Sequence, residues 1–248
     1  MVPGPPSFPR TRARRVLVVD GHAAVRAALP PAFGAFGCET ATARDGEDAL
    51  RHVRDTKRAA ADGDRPAPFR LVVMDLVLPR TDGLRLLGQL WNEFPNVPAV
   101  VVLGSLQDPG AIREVLDLGA TDYIPKPFDL DVLLYKVCVL LGEPTPALFH
   151  WAPLRARTLV NVNGRLATAT AVSEAGVVVQ LPAGASPREG ETVSMEWDFL
   201  DEPGGRWRRG RGRVLSATER SGVSIVELAF VALSESQLHR IRRFTVAH

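Results

Sequence analysis

Asp20, Asp75 and Lys126 each stand at or just beyond the end of a short apolar run. Such runs are typical of buried strands, and the carboxyl ends of parallel strands meet at one sheet edge, where ligands bind. Two carboxylates and one ammonium at that edge could accept a phosphoryl group. That transfer needs a carboxylate nucleophile, a lysine against the phosphoryl oxygens and a divalent cation that offsets their charge. The run ending at Asp75 is the most informative, because Pro79 and then Asp82-Gly83 follow it and predict a loop at the strand end.

Elements that could position these residues occupy the first half of the chain. Strand-like runs and helical patterns alternate five times between residues 14 and 141, which predicts a doubly wound α/β domain with a five-stranded parallel sheet. Pro30-Pro31 falls inside the first helical pattern, so we expect that helix to be kinked or split. The predicted strands are 15–20, 37–42, 69–75, 98–104 and 121–125, and the predicted helices are 22–36, 46–58, 82–94, 108–119 and 129–141.

The hydrophobic pattern changes in the second half of the chain. Short strand-like runs separated by Gly, Pro and Asn predict a small antiparallel β-barrel, which a C-terminal helix at Glu235–Phe244 follows. The expected organisation is a disordered tail at 1–13, an α/β domain at 14–141, a linker at 142–154 and a barrel domain at 155–248.

Composition limits the class of protein without identifying a function. The 248 residues suffice for two domains, and 46% hydrophobic with 23% charged residues is ordinary for a globular protein. The net charge of +2 gives no general argument for binding nucleic acid or membranes.

The two cysteines, Cys38 and Cys138, are too few and too far apart to predict a metal site or a disulfide framework. No apolar run approaches a membrane span of about 18–20 residues. The Pro-rich start lacks a signal-peptide core, so we expect a cytoplasmic protein.

Residues 14–141 resemble the receiver domain of two-component response regulators. The resemblance depends on the pattern from Met74 to Gly83, on Lys126 within Lys-Pro-Phe and on Asp20 after the first strand. It implies that Asp75 is the phosphoacceptor and that Asp20 and Asp75 hold a Mg²⁺ ion. It also implies that Lys126 contacts the phosphoryl group and that Tyr123 is the aromatic switch residue.

Two positions depart from that pattern. Gly21 stands where the family normally has a second acid that ligates the metal, so we expect weak Mg²⁺ binding. Gly104 stands where a Thr or Ser ends the fourth strand, and Ser105 could contact the phosphoryl group only if the loop shifts by one residue. His22 could replace the missing ligand, although a lone histidine at a helix start is more often solvated or a capping residue. We therefore expect poor phosphorylation or none.

The barrel region resembles PilZ domains, the bacterial receptors for cyclic diguanylate. The likeness is carried by the turn 173–176, in which Ser173 and Gly176 match the family motif, and by Arg155 and Arg157 in the entry segment. In the family such arginines clamp phosphates and stack on guanine, and the turn residues contact a guanine edge or the backbone. The resemblance thus implies a nucleotide site formed by these four residues.

This second motif is also incomplete. Ala171 stands at the Asp/Asn position, and Pro153 stands where the first clamp arginine would fall. Losing one base-edge contact typically costs about 1–3 kcal/mol, so we expect that cyclic diguanylate does not bind tightly. The basic run 206–213 could bind DNA, but Asp198, Asp201 and Glu202 just upstream favour a solvated hairpin face.

The sequence therefore predicts a bacterial signalling protein and no enzyme. Its main interpretation is an atypical response regulator that is poorly phosphorylated and whose PilZ-like output binds protein partners, with a link to motility. A sensor kinase and motility components are the expected partners, together with a homodimer through the receiver domain. One alternative is a phosphorylation-switched cyclic diguanylate effector. A second is a DNA-binding response regulator, which the low net charge and the lack of a helix-turn-helix pattern disfavour.

Overall fold

The computed structural model describes residues 14–61, 67–93, 98–143, 151–197 and 208–247, which form two compact units. The first unit takes residues up to Pro127 together with Leu140–Glu143, and the second takes Phe128–Val139 together with residues from Pro144 onward. Among the described helices, none combines the length and the apolar composition needed to cross a membrane.

The first unit contains a five-stranded parallel sheet with strand order β2-β1-β3-β6-β7, which confirms the predicted fold. Five successive residues of one central strand, 71–75, are all buried, so both faces of the sheet are covered. A two-stranded antiparallel ribbon, β4-β5, follows that strand. The strands are β1 Arg14–Val19, β2 Cys38–Ala43, β3 Phe69–Asp75, β4 Val77–Leu78, β5 Thr81–Asp82, β6 Ala99–Gly104 and β7 Asp122–Pro125.

Five helices alternate with these strands at nearly the predicted positions. They are α1 Ala23–Gly34, α2 Gly46–Ala61, α3 Gly83–Glu93, α4 Pro109–Asp117 and α5 Leu130–Leu141. Asp108 caps α4 by accepting a hydrogen bond from the Ala111 backbone N–H, and Pro109 occupies the first turn, where no N–H is needed.

The first helix corrects one part of a prediction. Of the two expected outcomes, a kink or a split, the split is wrong, because helix α1 is continuous through Pro30-Pro31. Prolines remove only two backbone donors, and the helix ends three residues later, so few hydrogen bonds are lost. The Pro31 carbonyl still accepts a hydrogen bond from the Ala35 backbone N–H at 3.1 Å.

The second unit is built on a closed six-stranded barrel with strand order β10-β13-β12-β11-β8-β9, in which neighbouring strands are antiparallel, as predicted. The barrel begins at Ala152, three residues before the predicted domain boundary, and it ends with a helix. Its elements are β8 Ala152–Val162, β9 Arg165–Val172, β10 Gly176–Pro182, β11 Thr192–Trp197, β12 Arg208–Arg220, β13 Val223–Val231 and α6 Glu235–Ala247.

In strand β12, the glycines of the basic run 206–213 alternate with arginines, and the two residue types face opposite sides of the barrel wall. Gly210 and Gly212 face the barrel interior, where an added Cβ would lie 2.4 Å from the Trp197 ring and 2.4 Å from the Met195 sulfur, respectively. Glycine is therefore the residue that leaves space for these two large side chains.

Arginines of the same strand face outward. Arg209 is exposed and pairs with Glu196 of β11, with 2.9 Å between Nε and Oε1. The sequence analysis expected acids to lie across a hairpin from the basic run, and Glu196 lies in such a position. The acids that it named for this role, at 198, 201 and 202, lie outside the described residues.

Two helices pack on the barrel within the second unit. Leu238 and Ile241 of α6 are buried in the barrel core. Tyr135 of α5 packs against Ala229 on the outer side of β13, and the Lys136 ammonium donates a buried hydrogen bond to the Phe230 carbonyl at 2.7 Å. The segment 128–139 is thus held to the barrel by both apolar and polar contacts.

We expect Gly210→Ala to lower the free energy of unfolding by about 2 kcal/mol, because the new methyl group would overlap the Trp197 ring. Urea unfolding measures this change. The matched control is Arg220→Ala, an exposed position of the same strand, which should change stability by no more than about 0.5 kcal/mol. Equal stability of the two variants would contradict the packing argument.

Candidate phosphoacceptor site

Asp20, Asp75 and Lys126 meet at the carboxyl edge of the parallel sheet, as the strand pattern predicted. Asp20 follows β1 and Asp75 ends β3, which are neighbouring strands with Val19 opposite Met74. Lys126 directly follows β7. Both carboxylates are buried, with Asp20 0% and Asp75 2% exposed. The strand ends therefore fix all three chemical groups in one place.

The lysine lies between the two carboxylates. Its Nζ is 2.8 Å from Asp75 Oδ2 and 3.1 Å from Asp20 Oδ2. Two buried carboxylates beside a single ammonium leave one negative charge in excess, and buried charge is costly unless it is compensated. The site therefore attracts a further cation.

Each carboxylate has a second contact that fixes its orientation. Asp75 Oδ1 accepts a hydrogen bond from the Val77 backbone N–H at 3.2 Å. Asp20 Oδ1 accepts one from the His22 backbone N–H at 2.7 Å, and the His22 ring Nδ1 lies 3.0 Å from the same oxygen. Arg26 holds the adjoining loop by donating to the Asp20 and Gly21 carbonyls at 2.7 and 2.9 Å.

His22 is solvated, as the sequence interpretation favoured, and it also contacts the site. Its side chain is 73% exposed, makes no capping hydrogen bond to α1 and places its ring Nδ1 against Asp20. One ligand atom each from Asp20, His22 and Asp75 lie within 4.8 Å of one another. The sequence pattern allowed the contact with Asp20 but did not predict it.

The donor set fits a divalent cation. Carboxylate oxygens are the ligands that Mg²⁺ prefers, and Mg²⁺ usually takes only one or two of them and keeps several waters. Asp20 and Asp75 would hold the ion, and His22 Nδ1 is close enough to add a nitrogen ligand. When bound, the cation supplies positive charge next to the Asp75 carboxylate.

A side chain at position 21 would crowd the loop that follows Asp75. A Cβ added there would lie 2.8 Å from Pro79 Cδ, so an acid at this position requires a shift of one of the two loops.

The Tyr123 ring lies beside Gly104. It is 1% exposed, and a Cβ on Gly104 would lie 3.1 Å from both its Cε2 and its Oη. Tyr123 Oη accepts a hydrogen bond from the Leu106 backbone N–H at 2.7 Å. Ser105 is exposed, and its hydroxyl makes no hydrogen bond within the described part of the chain. The site thus has a buried aromatic ring beside the position where the sequence comparison expected a switch hydroxyl.

An ion pair that the sequence did not reveal supports the neighbouring loops. Arg80, at a positive φ of 60° between β4 and β5, pairs with the buried Asp45 before α2. The pKa of Asp45 lies below its usual value, chiefly because the Asp48 backbone N–H donates to the carboxylate and also because of Arg80, while burial opposes the shift. The two residues are 35 positions apart, so no local pattern could pair them.

Residues of the predicted nucleotide site have structural contacts of their own. Ser173 is fully buried, and its Oγ accepts hydrogen bonds from the Ala175 and Gly176 backbone N–H groups, both at 3.2 Å. A Cβ on Gly176 would lie 2.1 Å from the Leu228 carbonyl oxygen. The side chains at 155–157 lie outside the described residues. Nucleotide binding by this set stays a prediction.

Comparison with known proteins finds similar sequences for the first half of the chain. The family model "Response regulator receiver domain" matches residues 16–138. The match covers just under half of the chain, and this segment is therefore similar to receiver domains. The match ends before the barrel strands begin at Ala152.

Named relatives match the same half of the chain. "Response regulator MprA" of Mycolicibacterium vanbaalenii is 37% identical over 133 residues, which are 53% of this chain and 52% of the relative. The protein of the same name from Mycobacterium avium is 35% identical over 133 residues, 53% of each chain. The chain thus spans about half the length of these curated relatives. The solved Francisella response regulator 1452 receiver domain is 28% identical, with a TM-score of 0.44, over 51% of this chain and 95% of that one.

We expect Arg80→Met to lower stability at neutral pH and to have less effect in acid. A carboxylate with a depressed folded pKa contributes stability above its unfolded pKa, about 3.9 for Asp, and loses that contribution as pH falls through the folded pKa. The difference in urea midpoint between wild type and variant should therefore be largest at pH 7 and shrink below about pH 4.

The matched control for this experiment is Arg85→Met, which removes an exposed arginine from the nearby helix α3. It changes net charge equally and should leave the urea midpoint almost unchanged at both pH values. If Arg80→Met shifted the midpoint equally at pH 7 and pH 3, the ionised Asp45 would not be the partner that matters.

Proposed function

We propose that this protein is an atypical response regulator of bacterial signal transduction. Asp75 is the phosphoacceptor but takes up phosphate inefficiently, and the PilZ-like barrel acts as an output that binds protein partners in the cytoplasm. The observation that carries the proposal is the Tyr123 ring, which is buried beside Gly104 with its hydroxyl already bonded to the Leu106 backbone.

The basic chemistry of phosphoryl uptake is supported by the geometry. Asp75 Oδ2 would attack the phosphorus of a phosphoryl donor, while the bond from phosphorus to the donor breaks and the donor group leaves with its electron pair. The Lys126 ammonium, 2.8 Å from Asp75 Oδ2, would pair with the phosphoryl oxygens. Asp20 holds the same ammonium from the other side at 3.1 Å. The protein's contribution is positioning and charge neutralisation, which account for most catalysis of phosphoryl transfer.

Two glycines weaken uptake and response. Without a carboxylate at Gly21, the cation has fewer charged ligands and binds more weakly, so the site holds a cation less often during transfer. Without a hydroxyl at Gly104, no side chain of that residue can hydrogen-bond a phosphoryl oxygen. The Tyr123 ring is already buried, so phosphorylation would move it little further inward.

Contacts of the segment 128–139 support an output role for the barrel. The receiver family match extends through this segment to residue 138, yet the segment belongs to the same compact unit as the barrel. Tyr135 Oη lies 3.4 Å from Glu227 Oε1, and burial raises the pKa of both groups. A sensor kinase, motility components or a second receiver domain are the proposed partners, and no enzymatic activity is proposed.

Acetyl phosphate labelling in Mg²⁺, followed by intact-mass spectrometry, tests the proposal. We expect a small labelled fraction in the wild type and none in Asp75→Asn. Gly104→Thr should raise the labelled fraction by adding a hydroxyl, with a shift of a few tenths of an ångström in Tyr123. Rapid and complete labelling of the wild type would contradict an atypical receiver.

Calorimetry with cyclic diguanylate tests the first alternative, the switched nucleotide effector. We expect no heat at high ligand concentration, because the Ser173 hydroxyl is buried and already accepts two backbone hydrogen bonds. Micromolar binding that Arg157→Ala abolishes would favour the alternative.

The second alternative, a DNA-binding response regulator, has less support, because Glu196 already pairs with Arg209 of the basic run. Salt-dependent retention of the protein on DNA would favour it.

A further inference from the structure

The Asp20 carboxylate at the candidate site directs its two oxygens toward different partners. Its Oδ2 lies 3.1 Å from Lys126 Nζ, and its Oδ1 lies 3.0 Å from the His22 ring Nδ1. Lys126 Nζ also lies 2.8 Å from Asp75 Oδ2. A cation that binds Asp20 Oδ1 would therefore use the oxygen next to the histidine and not the one next to the ammonium, which limits repulsion between the two positive charges.

The spacing of the histidine and the carboxylates fits the ligands of one metal ion. Ligand atoms on adjacent corners of an octahedral shell with a radius of about 2.1 Å are about 3.0 Å apart. His22 Nδ1 and Asp20 Oδ1 have this separation, 3.0 Å. One ligand atom each from Asp20, His22 and Asp75 lie within 4.8 Å of one another, so the three side chains can reach the same ion after small rotations.

Hydrogen bonds fix the backbone of the segment 20–22, which carries the ring to the site. The His22 backbone N–H donates to Asp20 Oδ1 at 2.7 Å. The Arg26 guanidinium donates to the carbonyls of Asp20 and Gly21 at 2.7 and 2.9 Å. The His22 side chain itself is 73% exposed, so an ion that keeps part of its water shell can reach the ring from solvent. The histidine is therefore both positioned and accessible.

An imidazole ligand changes which divalent cation the site prefers. Mg²⁺ is a hard ion that takes oxygen ligands, whereas imidazole nitrogen suits first-row transition metals such as Fe²⁺, Ni²⁺ and Zn²⁺. An uncharged imidazole also provides less negative charge than the carboxylate that is missing at Gly21, and this further weakens Mg²⁺ binding. A ligand set of two carboxylates and one imidazole is therefore better matched to a transition-metal ion than to Mg²⁺.

We propose that His22 is a metal ligand that makes this site select a divalent first-row transition-metal ion over Mg²⁺. Asp20 and Asp75 supply the negative charge, and the His22 ring takes the ligand position that Gly21 leaves without an acid. The inference rests on the proposed function to the extent that Asp20 and Asp75 form the cation site of the phosphoacceptor. It deepens that function by naming the class of ion, and it gives a reason for inefficient phosphate uptake in Mg²⁺.

Calorimetric titration of the full chain, without a histidine tag, with Co²⁺ and with Mg²⁺ tests the selectivity. We expect Co²⁺ to bind at least about a hundredfold more tightly than Mg²⁺. His22→Gln should weaken Co²⁺ binding by about tenfold or more and change Mg²⁺ binding by less than about twofold. Asp20→Asn should weaken the binding of both ions, because a carboxylate is a ligand for either cation.

Pulsed electron paramagnetic resonance of bound Mn²⁺ tests the contact itself, because Mn²⁺ accepts octahedral ligands and its spectrum reports directly bound nitrogen. We expect a nitrogen coupling in the wild type that His22→Gln abolishes. His239→Gln is the matched control, because it removes an exposed histidine of α6. This control should leave the coupling and the affinities for Co²⁺ and Mg²⁺ unchanged.

The wild-type spectrum decides the test even if a variant unfolds. Bound Mn²⁺ without a nitrogen coupling would overturn the proposal, and so would the absence of Co²⁺ binding at millimolar concentration. An equal loss of Co²⁺ and Mg²⁺ affinity in His22→Gln, or a loss of the coupling in His239→Gln, would also overturn it. Acetyl phosphate labelling of Asp75 is a separate measurement, so failure of this inference is distinguishable from failure of the proposed function.

Discussion

The Lys126 ammonium offsets part of the negative charge that two buried carboxylates place at the candidate site. Asp20 and Asp75 are both buried at neighbouring strand ends, and without Lys126 they would place two uncompensated negative charges in a medium of low polarity. The lysine reaches both carboxylates only because β7 ends at the same edge of the sheet as β1 and β3. The order of the strands therefore creates the charge distribution. Backbone groups of the loops that follow β1 and β3 donate hydrogen bonds that orient the two carboxylates.

The fold and the main site residues were predictable because both follow from local pattern. Apolar runs marked the strands, and the rule that parallel strand ends share an edge was enough to bring Asp20, Asp75 and Lys126 together. Contacts between distant side chains were not predictable. Nothing near Gly104 indicates that the Tyr123 ring fills the space beside it, and nothing near Asp45 indicates Arg80 as its partner. Such pairs depend on packing distances that only the folded chain sets.

The two halves of the chain show the same combination of an intact framework and altered recognition groups. In the first half, Gly21 and Gly104 replace side chains that the family resemblance expected near the acceptor. In the second half, Ser173 keeps its place but directs its hydroxyl to its own turn. A framework that stays ordered while its ligand contacts change is well suited to presenting surfaces to other proteins, which is the role proposed for this chain.

The contact between Gly21 and Pro79 links the two sides of the acidic pair. A Cβ on residue 21 would lie 2.8 Å from the proline ring, so an acid there requires a shift of one of the two loops. The loop of Pro79 also carries the Val77 backbone N–H that donates to Asp75 Oδ1. A side chain at residue 21 would therefore act on the aim of the Asp75 carboxylate as well as on the metal.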